Sequence, residues 1–493
     1  MIDILPTQKI HNPSLTLYGY HLRHTINQEI EETLPEASLV WEQLSTIGQV
    51  FQIPELENIK QKLICYQNNN YHPAIEDRLG VGNYFNLLSG GFEKINFQLS
   101  RNNISLGIRV SISPFRVNDT YGFDLTLKVE NSLEISQLDQ LNLQSYLSSR
   151  NVILEPSLGQ TLLFYAETTI SEQYYSELAR NCVSHLISSH SDLELIDTGK
   201  ILGCYVFVYD NWKIDPSKQR HIILCFNPHS TAPEKLGEAA KDILLLICSR
   251  HKILYAYNQS RFCQYKSRPL YTYLENRIND FRQIAQLDNR LPDFKQLLTE
   301  LPQKSFEFSN LIRELEDHKN TIKTNIFNYE KQINKLQQLP DSEISFFQPF
   351  LNHAQEKFYY QIQADQNISI PGKEMFHELM GSIRGIVAIE QAERDRQVQA
   401  ELKIREEKEQ KREKNIEWLI AFFGTGLAVS GISSAVVTEP TKTILTNLSI
   451  TLPSRCLNHN LSHYFCYGLL DIIFHIVVGI LLAIPVAVII RKR

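Results

Sequence analysis

The 493-residue chain has no G-x-x-x-x-G-K-[ST] phosphate loop, no G-x-S-x-G elbow and no H-E-x-x-H motif. P-loop nucleotide hydrolysis, acyl transfer on a nucleophile elbow and zincin chemistry therefore lack linear support. His377-Glu378 stands without the second histidine that a zinc site of that kind needs. No C-x-x-C pair occurs among Cys65, Cys182, Cys204, Cys225, Cys248 and Cys263. Such scattered cysteines read as reduced, buried thiols of a cytosolic domain, with no metal site. There is no basic excess either: the net charge is −6, with 21% charged and 43% hydrophobic residues. Nucleic acid is thus not an expected partner. Neither a basic n-region nor an apolar h-region follows Met1, so no signal peptide is expected. No residue set argues for an enzyme, and the composition leaves any cofactor unknown.

Long uncharged apolar runs are confined to 418–437 and 472–490. As helices they would rise about 30 and 28 Å, against a hydrocarbon core of roughly 30 Å. Lys403, Arg405, Lys408, Lys411, Arg412 and Lys414 precede the first run, and Arg491-Lys492-Arg493 follow the second. The connection 438–464 holds only Lys442 and Arg455. This bias places both termini in the cytoplasm and the connection outside, in a cell-membrane protein of two spans with the lipid bilayer as partner. Cys456 and Cys466 either pair in that oxidising space or leave Cys466 at the membrane boundary.

A chain of this length buries more than one core. Residues 1–150 read as an N-terminal α+β region, helical at 39–50 and 56–66. Ile104, Leu106, Ile108, Val110 and Ile112 alternate as in a half-buried strand, and 94–99 and 122–129 read alike, predicting an antiparallel three-strand unit. Glycines at 80–91 mark turns or an anion cradle. In 151–262 the pattern predicts strand 161–166, helix 171–189, strands 201–209 and 221–226, helix 233–248 and strand 253–257. That is the ferredoxin-like βαββαβ order of a mixed sheet. Tyr205, Tyr209, Asn211, Trp212 and Lys213 gather at its edge, either as packing or as a surface for a nucleotide or peptide.

Heptad-like spacing over 263–370 predicts a helical bundle with breaks at Pro292, Pro302 and Pro340. Pro371-Gly372 looks like the start of a stalk helix, 371–417, on which Phe376, Met380, Ile383 and Val387 form a seam for a partner helix. Opposite charges four apart at Glu401/Arg405 and Glu407/Lys411 suit a solvated helix face, compatible with a rigid lever. The expected fold is thus an α+β cytosolic domain, then an α-helical coiled-coil stalk, then transmembrane helices 418–437 and 465–490 around an external loop, 438–464.

In the first span Ala421, Gly424, Ala428, Gly431 and Ala435 form a stripe of small residues. Such a stripe suits close helix packing or the lining of a narrow pore. Asp471 and His475 lie four apart on the second span, as a structural pair or as a proton- or ion-handling pair. Pro485 kinks its inner end.

This layout resembles the CorA family of magnesium channels: a cytosolic α/β domain, a long stalk helix continuing into the first membrane helix, a second membrane helix and a short basic tail. Here 376–437 corresponds to the stalk and first span, 472–490 to the second span, and Arg491-Lys492-Arg493 to the tail. The resemblance covers the last 230 residues by layout and the first 260 by fold class. The family's Gly-Met-Asn signature is missing, since methionine occurs only at Met1, Met375 and Met380. Magnesium selectivity therefore does not carry over. The function expected is a homo-oligomer whose cytosolic domain senses a small-molecule or protein ligand and moves the membrane helices, as an ion channel or a membrane effector. The alternative is a membrane-tethered binding or scaffold protein without transport.

Overall fold

The computed structural model describes residues 8–24, 33–68, 70–72, 84–88, 93–101, 104–143, 157–188, 190–228, 233–405, 413–436 and 460–492, with single positions 147, 444 and 447. The chain divides into two compact units, Met1–Arg384 and Gly385–Arg493.

The first unit is built on a ten-stranded mixed sheet. Its long strands are β1 (Lys9–Leu22), β5 (Glu93–Arg101), β6 (Ile104–Val117), β7 (Thr120–Val129), β9 (Gly159–Glu167), β10 (Glu194–Ile201), β11 (Cys204–Asp210) and β12 (His221–Asn227). Two-residue strands β4 (Phe85–Asn86) and β8 (Leu133–Glu134) complete it. A separate hairpin pairs β2 (Tyr66–Gln67) with β3 (Asn70–Tyr71). The sheet runs β10-β11-β12-β9-β1-β7-β6-β4, with β5 also on β6 and β8 on β1. Every pairing is antiparallel except β9 with β12. The expected three-strand unit is present as β5-β6-β7. Strands from both sides of residue 150 share this one sheet, joined through β1.

Strand β1 occupies a region for which the sequence predicts no strand. Leu15 and Leu17 face one side of the sheet and Tyr18 and Tyr20 the other, and all four are buried. A strand covered on both faces loses the apolar–polar alternation that marks a half-exposed one. On one face lie α1 (Leu39–Phe51), α2 (Pro54–Glu57) and α3 (Tyr175–Leu186). Trp41 meets Tyr121 at 5.1 Å there, and Tyr175 meets Phe226 at 6.0 Å. Helix α4 (Pro233–Ile284) covers the other face, where Tyr20 Oη donates to Leu244 O at 2.8 Å.

The ferredoxin-like order fails at its last strand. Residues 253–257 lie inside α4, a 52-residue helix. A five-residue apolar run does not distinguish a buried strand from a buried helical turn. The single strand expected at 201–209 is instead a hairpin corner: β10 ends at Ile201, Leu202 and Gly203 turn with positive φ, and β11 begins at Cys204.

Beyond the sheet, the second half of α4 packs with α5 (Leu291–Gln337) and with a third helical rod. That rod starts as α6 (Gln348–His353), passes through a π segment (Ala354–Tyr359) and continues as α7 (Tyr360–Arg405). Pro371 does not begin a helix but sits within α7, as Pro302 sits within α5. Each proline removes a backbone donor, a loss of ~3 kcal/mol or more for an unsupported helix. The helix continues through Pro371 where it is packed: the rings of Tyr271 and Phe308 lie against Gly372, where an added Cβ would lie 2.9 Å from Tyr271. Phe376, Met380 and Ile383 of the expected seam are buried, with Phe376 5.7 Å from Phe308. The edge of β10 is capped by the α5–α6 connection, through Lys200 N to Glu343 O at 3.1 Å and Glu343 N to Lys200 O at 2.8 Å.

In the second unit α8 (Glu413–Val436) and α9 (Asn460–Lys492) pack together. The expected stalk residues 406–412, much of the expected external loop including Cys456, and the glycines at 80, 82, 90 and 91 lie outside the described residues.

Helix α1 leans on the C-terminal end of α2 through Gly48, where a Cβ would stand 2.1 Å from Glu57 N. Gly48→Ala is expected to lower stability by about 1–3 kcal/mol through this overpacking. A fall in the thermal unfolding midpoint of the purified protein checks it; an unchanged midpoint refutes it.

Candidate functional site

Two constellations carry chemistry, one in each unit. Among the described residues, one helix is long and apolar enough to cross a membrane, over Gly468–Val486 of α9. The apolar part of α8 is shorter, Leu419–Ser433. At 1.5 Å per residue it rises about 21–23 Å, below the roughly 30 Å of a hydrocarbon core. Of the two expected spans, the second is thus present at full length and the first as this shorter apolar stretch among the described residues.

The hairpin is apolar outside and small or polar inside. Phe423, Leu427 and Ile432 of α8, and Ile472, Ile476 and Leu481 of α9, are exposed. Every fourth residue of α9 (Asp471, His475, Gly479, Ala483) lies on the half-buried or buried side. A Cβ at Gly479 would come within 2.8 Å of Gly426 O and 3.6 Å of Ser430 Cβ, so the two backbones touch there. One turn away the hydroxyl of Ser433 hydrogen-bonds His475 Nδ1. Small residues at this crossing let the helices approach, and the Ser–His bond satisfies polar atoms that lipid cannot.

The stripe predicted from sequence takes another direction. Ala421 is half-buried, whereas Gly424, Ala428 and Gly431 are exposed. A Cβ at Gly424 or Gly431 would meet nothing within 4 Å. The side chain of Ala435 lies outside the described ones. The face that packs on α9 is instead Gly426, Ser430 and Ser433. The opposing face on α9 was marked in the sequence by the four-residue row begun by Asp471 and His475, which Gly479 and Ala483 continue.

In the first unit a polar core lies between the sheet and α4. Thr161 Oγ1 sits 2.9 Å from His221 Nδ1 and 2.8 Å from His251 Nε2. His251 Nδ1 is 2.9 Å from Gln219 Oε1, while Gln219 Nε2 donates to Ile214 O at 3.3 Å. With both imidazoles neutral, these contacts take one proton order: His251 Nδ1–H donates to Gln219, Thr161 O–H donates to His251 Nε2, and His221 Nδ1–H donates to Thr161. Burial pushes their pKa values well below the ordinary histidine range, and the Arg250 guanidinium pushes the same way. Arg250 pairs with Asp210, the two side chains being 2% and 5% exposed, and lies over the Phe350 ring at 5.1 Å. A third imidazole, His21, accepts from Ser157 N at 3.0 Å and donates to Glu36 O at 2.8 Å. Its pKa is also lowered, chiefly by burial. Nothing in the sequence singled out this network, because its members come from four separate segments.

The edge aromatics are consumed by packing. Tyr205 meets Tyr175 at 4.9 Å, Tyr209 is buried, and Trp212 lies 4.7 Å from His353. Asn211 bonds Asp192 and Lys218 O. All six cysteines between Cys65 and Cys263 are buried and free. Among the described residues no group of three or more His, Cys, Asp or Glu is placed to hold a metal ion.

No protein-family model matches the chain. No curated protein matches it either. Among solved structures, the CorA magnesium transporter from Methanocaldococcus jannaschii is distantly similar, at 10% identity over 68% of this chain and 92% of that chain, with a TM-score of 0.14. At that TM-score nothing about geometry or substrate follows from the likeness.

Two predictions follow from these constellations. Gly426→Cys with Ala483→Cys should form an intrachain disulfide on mild oxidation, since the Cβ separation of 4.0 Å falls in the bonding range and the added Cβ at 426 meets nothing closer than 3.9 Å. Peptide mapping reads it, and an absence of the linked peptide refutes the crossing. Second, an imidazole with a depressed folded pKa binds more protons when unfolded. Stability is then complete above the unfolded value of roughly 6.5 and falls as pH drops below it, by about 1.4 kcal/mol per pH unit and histidine. Asp124, pushed up to about 6 by burial, and Asp317, also raised by burial, work in the opposite sense, but they are two groups against five lowered imidazoles once His318 and His353 are included. The melting temperature should fall steadily from pH 6.5 to 5, and a flat profile would contradict the neutral assignment.

Proposed function

We propose that the chain is an integral membrane protein of two spans, 418–437 and 472–490, with both termini in the cytoplasm and a large sensing domain on that side. The observation that carries this reading is the hairpin α8–α9, with apolar side chains outward and the Ser433–His475 bond inside. A water-soluble hairpin would be arranged the other way round. Copies associate through the Gly424/Ala428 face of α8, whose small residues point away from α9. The continuous rod from α6 through α7 supports a lever that carries a binding event in the α/β unit toward the membrane. The output is then ion passage or local disturbance of the bilayer, with Asp471 and His475 as polar residues on its path.

The second reading is an anchor and scaffold without transport. What favours it is that the closest hairpin contacts, Gly426 with Gly479 and Ser433 with His475, are already satisfied within one chain. Such a hairpin needs no second copy to be stable in lipid.

Full-length protein in detergent and in liposomes separates the two. The transport reading expects closed oligomers and ion flux. It also expects Gly424→Leu to reduce that flux at least tenfold while leaving the 426–483 cross-link intact. Monomers without flux, in protein that still binds its partner, would establish the scaffold instead.

A further inference from the structure

The third rod of the bundle contains a π segment, Ala354–Tyr359, immediately after His353. Such segments are rare and are frequently found at functional sites. The His353 ring lies 4.7 Å from Trp212 and 4.7 Å, edge to face, from Phe358 inside the segment. Phe358 stacks in turn on Tyr257 of α4 at 4.3 Å. Trp212 is held in the left-handed region, φ +55°, with its N–H donated to Asp210 Oδ1 at 2.9 Å. A bulky residue is uncommon in that conformation and persists only where its surroundings hold it. The imidazole thus closes a stack that starts at the sheet and ends in the π turn.

The charges around this stack are unequal. Lys357 lies one turn beyond His353, with exposed Glu356 beside it, and Arg250 of α4 lies under Phe350. Lys213 is exposed on the Trp212 turn. From α5 comes Tyr329, neutral and 5.2 Å from Phe350. The acid near the ring is Asp210, one oxygen of which is taken by Arg250 and the other by Trp212 N–H. An imidazolium would gain attraction from the indole face. Burial and the neighbouring Lys357 ammonium oppose it and hold the ring's pKa below the ordinary value.

We propose that His353 is a proton-operated latch: neutral, it ties the π turn to Trp212 and the sheet; protonated, it releases that turn. The latch belongs to the α/β unit and its bundle, and it stands whether or not the hairpin conducts ions.

The test is amide hydrogen exchange on full-length protein at pH 7.5 and 5.5, corrected for intrinsic rates. His353→Phe keeps a ring in the stack and cannot titrate, so it records any general loss due to the other histidines. Wild-type protection over 354–360 should fall at least tenfold further than in His353→Phe. Tryptophan fluorescence gives a second readout, because imidazolium quenches a stacked indole. The wild type should dim with a midpoint below pH 6.5, and both His353→Phe and Trp212→Phe should abolish that transition. Equal acid losses in wild type and His353→Phe, or a fluorescence transition that survives His353→Phe, would overturn the proposal. If His353→Phe does not fold, His353→Gln answers the same question.

Discussion

A guanidinium almost out of reach of water organises the first unit. Arg250 has Asp210 as its counter-charge, and removing either partner would leave a buried charge uncompensated, a loss of about 3–5 kcal/mol. The pair therefore requires the end of β11, the middle of α4 and the start of α6 to meet at one place. The rest follows from that meeting. His221 is the register partner of Asp210 across β11–β12, and His251 follows Arg250 on α4. The neutral hydrogen-bond chain through Thr161 and Gln219 is what lets two imidazoles sit beside a fixed positive charge. On the other flank, Phe350 lies over the guanidinium and passes the contact to the bundle. Helix α4 can thus close the sheet with its first half and begin the helical bundle with its second.

On the proposed two-span reading, the hairpin obeys a different solvent. In lipid there is no hydrophobic drive to bring two apolar helices together, so close packing and internal hydrogen bonds must do it. Glycine at 426 and 479 supplies the approach, and Ser433 with His475 supplies the bond. The same residues in a water-soluble unit would be poor choices, because glycine weakens a helix and a Ser–His pair is readily replaced by water. The inside-out arrangement is consistent with the resemblance in layout to two-helix membrane proteins. It does not borrow a selectivity filter from them, since the Gly-Met-Asn signature is absent.

Much of this was legible residue by residue. Alternation at 104–112 identified β6, and the spacing over 39–50 identified α1. The apolar run at 472–490 identified the helix long enough to span a bilayer. Failures came where two-sided burial erased the pattern. Strand β1 is covered on both faces and reads as neither strand nor helix. Residues 253–257 are apolar all round because that turn of α4 is enclosed. Pro371 looked like a boundary because proline usually is one, and only the rings pressed against Gly372 explain why the helix continues.

Composition and spacing by themselves determined the one-dimensional properties: where apolar length accumulates, where charge is excluded, and which segments alternate. These are local, so a window of a few turns contains the whole signal. The tertiary structure alone decided which distant residues meet. Thr161 finds His221 and His251 across separations of 60 and 90 residues. Gly426, rather than Gly424, faces the second helix. The physical reason is that burial and hydrogen-bond satisfaction are settled pairwise in space, and a linear pattern records only that a residue is to be buried, not against what.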